Sequence, residues 1–242
     1  MSIKLKALGL GLLAVLATSA FAGINASATV GGHFVHHGPQ NSAVITAHEA
    51  KGSLHQLKFY HLKANSHETD PDALPIECEK ATYEGTASAK SVTEITLTPT
   101  YTNCNTEGGV AGSVTVTPNG CGYKFLSQGL NKHGTVEVEC PAGKAIVIKH
   151  PNCEITVPAQ KAPETLTEGV VYHNVVEPNG KSALTATVTL KTITGHYHGG
   201  ICIFLGTSQK FEMIGSVTVK GYEDLGGANP EGLPISITHT TS

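Results

Sequence analysis

Arginine and tryptophan are absent from the chain, and Asp70, Asp72 and Asp224 are its only aspartates. Without arginine there is no planar guanidinium to make the bidentate phosphate and base contacts that nucleic-acid readers use. Nucleic acid is therefore excluded as an expected partner. Lacking tryptophan, with aromatic residues at 5 %, the chain is poorly equipped for a sugar-stacking platform or an aromatic cage. The motifs of exported hydrolases are missing as well: no G-x-S-x-G elbow, no H-E-x-x-H and no S-x-x-K. Gly180-Lys181-Ser182 ends like a phosphate loop, but Val175 stands where the first glycine belongs. Nothing points to a bound cofactor, and an extracellular hydrolase is the least favoured reading. The cysteines form no C-x-x-C pair, which removes zinc knuckles and thioredoxin-like chemistry.

What is present begins with an export pattern. Lys4 and Lys6 precede the apolar run 8–17, and Ala20-Phe21-Ala22 supplies a small-x-small cleavage site, with Ala26-Ser27-Ala28 as a second candidate. Residues 1–22 are read as a signal peptide. No later stretch approaches the ~20 apolar residues of a spanning helix, so no transmembrane segment is expected. Loss of two lysines takes the formal charge from −3 to about −5, too small for strong electrostatic steering. The expected location is secreted, extracellular or at the cell-envelope surface. Partners there would be an envelope component or a small ligand.

Period-two alternation recurs from about residue 43 onward, without a sustained helical period. Leu184, Ala186, Val188 and Leu190 alternate with Thr185, Thr187, Thr189 and Lys191, and Val136 and Val138 alternate with Glu137 and Glu139. Such segments are half-buried antiparallel strands. Others are expected at 43–48, 54–62, 77–83, 92–101, 110–117, 122–126, 145–149, 154–157, 170–175 and 217–220. Pro118-Asn119-Gly120, Pro141-Ala142-Gly143, His150-Pro151-Asn152 and Pro178-Asn179-Gly180 punctuate them as turns. The fold class is all-β: an antiparallel β-sandwich or barrel-like structure of about a dozen strands, stapled by disulfides. Its expected divisions are a flexible segment at 23–40, a β-rich domain at 41–160 and a β-rich part at 161–242 packed on it as one unit.

Cys78, Cys104, Cys121, Cys140, Cys153 and Cys202 make an even set, as a disulfide framework in an exported chain requires. If the hairpins run consecutively, strand directions bring Cys78 to Cys104 and Cys121 to Cys140. A Cys140–Cys153 link would have to span a whole strand, which leaves Cys153 with Cys202. Each bridge is worth roughly 2–4 kcal/mol through restriction of the unfolded chain.

Histidine is in excess, with 13 in the chain. His33, His36 and His37 cluster near the start, and His196 and His198 form an H-x-H pair. Residues two apart on a strand project to one face, so His196 and His198 are the candidate Zn²⁺ or Cu²⁺ ligands. A lipocalin-like carrier of a small apolar ligand is a further reading, and it needs an enclosed apolar cavity. Glu137 and Glu139 are read as an exposed strand face.

Cys78, Tyr83-Glu84-Gly85-Thr86, the run 98–104 ending in Cys104 and Asn119-Gly120-Cys121-Gly122-Tyr123 occur in order, followed by Cys140-Pro141-Ala142-Gly143 and Cys153-Glu154-Ile155. Gln160, Tyr172-His173-Asn174 and the run 215–222 continue the series. In these motifs the chain resembles a group of paralogous, secreted, cysteine-containing, β-rich bacterial proteins without an assigned activity. The resemblance implies export and disulfides, and no catalytic residue.

Overall fold

The computed structural model describes residues 32–38, 40–49, 55–58, 75–106, 112–127, 133–151, 153–161, 169–176, 182–199, 208–222, 232–233 and 235–239. The signal segment 1–22 and Cys202 lie outside the described residues. The described residues form seventeen strand segments and no helix.

Alternation dictates the inner face of each strand. In β6 (Glu94–Thr106), Ile95, Leu97, Pro99 and Tyr101 point inward and the intervening threonines outward. β4 (Pro75–Ala87) pairs along one edge of β6, with Cys78 directly opposite Cys104. On the far side of β4 lie β2 (Ala43–Glu49) and β3 (His55–Lys58), end to end. The other edge of β6 carries β7 (Ser113–Thr117) and β8 (Gly122–Leu126), again end to end. β9 (His133–Glu139) pairs with β8, and β10 (Ala145–His150) with β7. β11 (Cys153–Pro158), β12 (Gln160–Lys161) and β13 (Gly169–Val176) then run along β10 and β9.

β14 (Ser182–His198) pairs with β13 and β11, and β15 (Ser208–Tyr222) pairs with β14 on one edge and with β2 and β3 on the other. The pairings therefore form an antiparallel, barrel-like circuit of eight successive runs, with β15 meeting the first. Because segments on both sides of residue 160 share neighbours throughout, 41–160 and 161–242 are woven into one sheet system.

Two expectations need correction. Consecutive hairpins do not occur at 118–120 and 141–143: β7 and β8 both run antiparallel to β6, so the chain does not reverse between them. Asn119 and Gly120, at φ 53° and 82°, form a tight bulge closed by Cys121 N–H donating to the Pro118 carbonyl at 2.9 Å. A facing turn, Lys144 N–H to the Pro141 carbonyl at 2.9 Å, interrupts the neighbouring run. Proline and positive-φ residues suit bulges as well as reversals, which is why the sequence did not separate them.

The second concerns 23–40, which is not flexible throughout. Residues Gly32–His36 form β1, the middle strand of a second sheet between β5 (Ser91–Val92) and β17 (Ile235–His239). Phe34 supplies the buried apolar side chain that the composition of the segment concealed. This sheet packs where β6 starts and β8 ends. The Ser127 hydroxyl donates to the Gly32 carbonyl, and Phe34 meets Tyr172 edge-on at 5.2 Å between ring centres. β16 (Gly232–Leu233) adds a short edge to β15.

Strand β14 extends past the expected 184–191 because its register shifts between Leu190 and Ile193, which resets the alternation. Between its pairings with β13 and β11, β14 is held by the Gln160 amide. Gln160 Oε1 accepts from Thr194 N–H at 2.7 Å, and Nε2 donates to the Thr194 carbonyl at 2.8 Å and the Pro158 carbonyl at 3.1 Å. One side chain thus stands in for a missing strand partner. Gln160→Ala should destabilise the protein by about 1–3 kcal/mol, since it strips half-buried backbone groups of their partner. Urea denaturation checks this, and a change within experimental error would show that water replaces the amide without cost.

Candidate functional site

Three groups of residues carry chemistry. The first is the oxidised cysteines. Cys78 bridges to Cys104, and Cys121 to Cys140. Cys78 and Cys104 meet as opposite residues in mid-strand rather than at a hairpin end. Cys121 and Cys140 flank the paired residues Gly122 and Glu139, joining the two facing bulges. Cys153 is disulfide-bonded too, while its expected partner Cys202 lies outside the described residues. None of the described cysteines is free.

The second group is the histidines. His196 and His198 lie near the end of β14, both exposed and on the outward face. His196 is opposite Thr156 and His198 opposite Glu154 on β11. Glu154 pairs with Lys149 at 3.1 Å. The N-terminal histidines do not form one cluster, because β1 divides them. His36 points inward, its Nε2 3.2 Å from the Asn41 carbonyl, whereas His37 is exposed beside the Ser236 hydroxyl at 3.1 Å. Among the described residues no three His, Cys, Asp or Glu side chains converge on a metal position as they stand.

The third group lies inside. Tyr83, Tyr101 and Tyr123 come from the adjacent strands β4, β6 and β8, and all are buried. The Tyr101 and Tyr123 hydroxyls share a hydrogen bond at 2.9 Å, and the Tyr83 ring is 6.3 Å from each of the other two. Burial pushes the Tyr101 hydroxyl well above the ordinary tyrosine range, reinforced by its tyrosine neighbours. Burial also pushes Tyr123 up to about 12, against the opposing hydrogen bond from Tyr101. Both stay protonated near neutrality. They are polar core residues whose hydroxyls partner one another.

Glu137 and Glu139 belong to an outward ladder. Glu94 pairs with Lys124 at 3.3 Å, Lys124 lies opposite Glu137, and Glu137 pairs with Lys161 at 3.0 Å. The Thr96 hydroxyl donates to Glu139 at 3.2 Å. Hydrogen bonding to Glu94 is the main cause that raises the Lys124 pKa, with the charges of Glu139 and Glu137 adding to it. Alternating signs on successive strands lock register.

The buried apolar side chains of the described strands form one continuous core. An apolar cavity of about 10 Å³ beside Phe34, Leu97, Phe125, Tyr172 and Leu184 is at the lower limit for a single water. No helix among the described residues is long and apolar enough to cross a membrane. No family model matches the chain, and no curated protein or solved structure matches it significantly.

Proposed function

We propose that the chain is an exported bacterial protein that acts outside the cytoplasm as a non-catalytic binding or structural module of the cell surface or its surroundings. The observation that supports this reading is the continuous apolar core of the described strands, which leaves beside Phe34, Leu97 and Tyr172 a pocket of about 10 Å³. Recognition then falls to the outward face, where threonines and paired charges alternate with the core residues. The two described bridges suit a chain that must persist among proteases, because they restrict the unfolded state that proteases attack.

Expression of the full chain in a bacterial host, with fractionation and intact-mass measurement, tests the reading. The expected product is found outside the cytoplasm, begins at Gly23 and carries six oxidised cysteines, with no co-purified small molecule in native mass spectra. An uncleaved cytoplasmic product would overturn export. A stoichiometric bound lipid would overturn the module in favour of a carrier.

A further inference from the structure

We propose that Glu154 completes the H-x-H pair, so that His196, His198 and Glu154 form a surface site for a divalent transition metal, with Zn²⁺ the best fit to two imidazoles and one carboxylate. The inference does not depend on the module reading above. Two separate observations lead to it. The spacing of the two histidines places both imidazoles on the outward face of β14, and both are exposed. Independently, the β11–β14 register sets Glu154 directly opposite His198, where the Cβ atoms of facing strand residues lie ~4.5–5.5 Å apart. Two imidazoles from one strand and a carboxylate from the next supply three of the four positions of a tetrahedral zinc ion, leaving one for water.

The backbone beneath these residues is fixed on both sides. His196 pairs with Thr156 and with Ser208, and the Thr156 hydroxyl donates to the His196 carbonyl at 3.4 Å. Glu154 follows Cys153, itself disulfide-bonded. Lys149 competes for the same carboxylate, its ammonium lying 3.1 Å from Glu154. The side chains of that pair are 62 % and 38 % exposed, so the bond is screened and weak. A dication bound by two imidazoles competes for the same carboxylate at closer range. Lys149 is therefore a built-in competitor for Glu154.

Isothermal titration of the oxidised full chain with zinc chloride tests this, using four proteins whose unchanged thermal unfolding confirms the fold. Wild type should bind one equivalent with micromolar affinity. His196→Ala combined with His198→Ala should abolish that binding. Glu154→Gln should weaken it at least about tenfold, as losing a carboxylate ligand does. Lys149→Met should tighten it severalfold by releasing the carboxylate. Retained binding in the double histidine variant would place the metal elsewhere and overturn the site. Equal affinity in wild type, Glu154→Gln and Lys149→Met would reduce it to an adventitious histidine pair and overturn the role of Glu154.

Discussion

Raising the pH above 10 should unfold this protein cooperatively, with tyrosinate absorbance rising in step with loss of the sheet circular dichroism rather than ahead of it. Tyrosine ionises near 10 in an unfolded chain. Tyr123 is pushed up to about 12 in the folded state, and burial raises Tyr101, Tyr172 and Tyr197 as well. The folded state thus keeps protons that the unfolded state releases. Stability is fully present below pH 10 and is lost as pH climbs toward the folded values. Tyr123 alone, shifted by about two units, accounts for a loss of about 3 kcal/mol between pH 10 and 12. Tyr101, Tyr172 and Tyr197, all raised by burial, add to the loss in the same direction. Tyr101→Phe combined with Tyr123→Phe should move the alkaline midpoint upward. Four tyrosines titrating near 10 with the sheet signal intact would show that these rings are open to solvent.

Tyr172→Ala should cost about 3–5 kcal/mol in chemical denaturation, the range for deleting a large aromatic side chain from a core. Tyr172 is 1 % exposed and joins β13 to the end sheet through its edge-on contact with Phe34. Its ring also lies over Gly134, where an added Cβ would come within 2.5 Å of Tyr172 Cε2 and 2.2 Å of the Leu126 carbonyl oxygen. The surroundings are therefore built around the ring and cannot collapse cheaply. Tyr172→Phe should cost under about 1 kcal/mol, because the hydroxyl donates to the Leu126 carbonyl over a long 3.4 Å. Truncation would enlarge the small apolar cavity that Tyr172 helps to line. Benzene should then raise the melting temperature of Tyr172→Ala and leave wild type unmoved. An alanine variant within 1 kcal/mol of wild type would remove Tyr172 from the core.

The ordered motifs of the sequence take on a structural meaning. Asn103, at φ 52°, sits where β4 and β6 both show two successive exposed residues, and its amide donates to Glu79 at 2.8 Å. Asn119 and Gly120 form the bulge between β7 and β8. Gln160 holds β14 at its irregularity. Asn174 does the same for β17: its Oδ1 accepts from Ile237 N–H at 2.8 Å and its Nδ2 donates to the Ile237 carbonyl at 3.0 Å. Gln160 and Asn174 thus replace backbone partners where strands break. Nothing in local periodicity marks such a role, since it depends on which distant strand end lacks a neighbour.

By itself the sequence determined the all-β class, the inward residues of most strands, the placement of His196 and His198 on one face, and the expectation of a disulfide framework. These follow from period two and from cysteine number, which need no knowledge of neighbours. Only the tertiary structure decided that 118–120 and 141–143 bulge rather than reverse, that β1 is a central strand, that Cys78 meets Cys104 in mid-strand, and that Glu154 faces His198. Each of these depends on register between segments far apart in the chain. A strand's own alternation fixes its two faces but is silent about which residue will stand opposite.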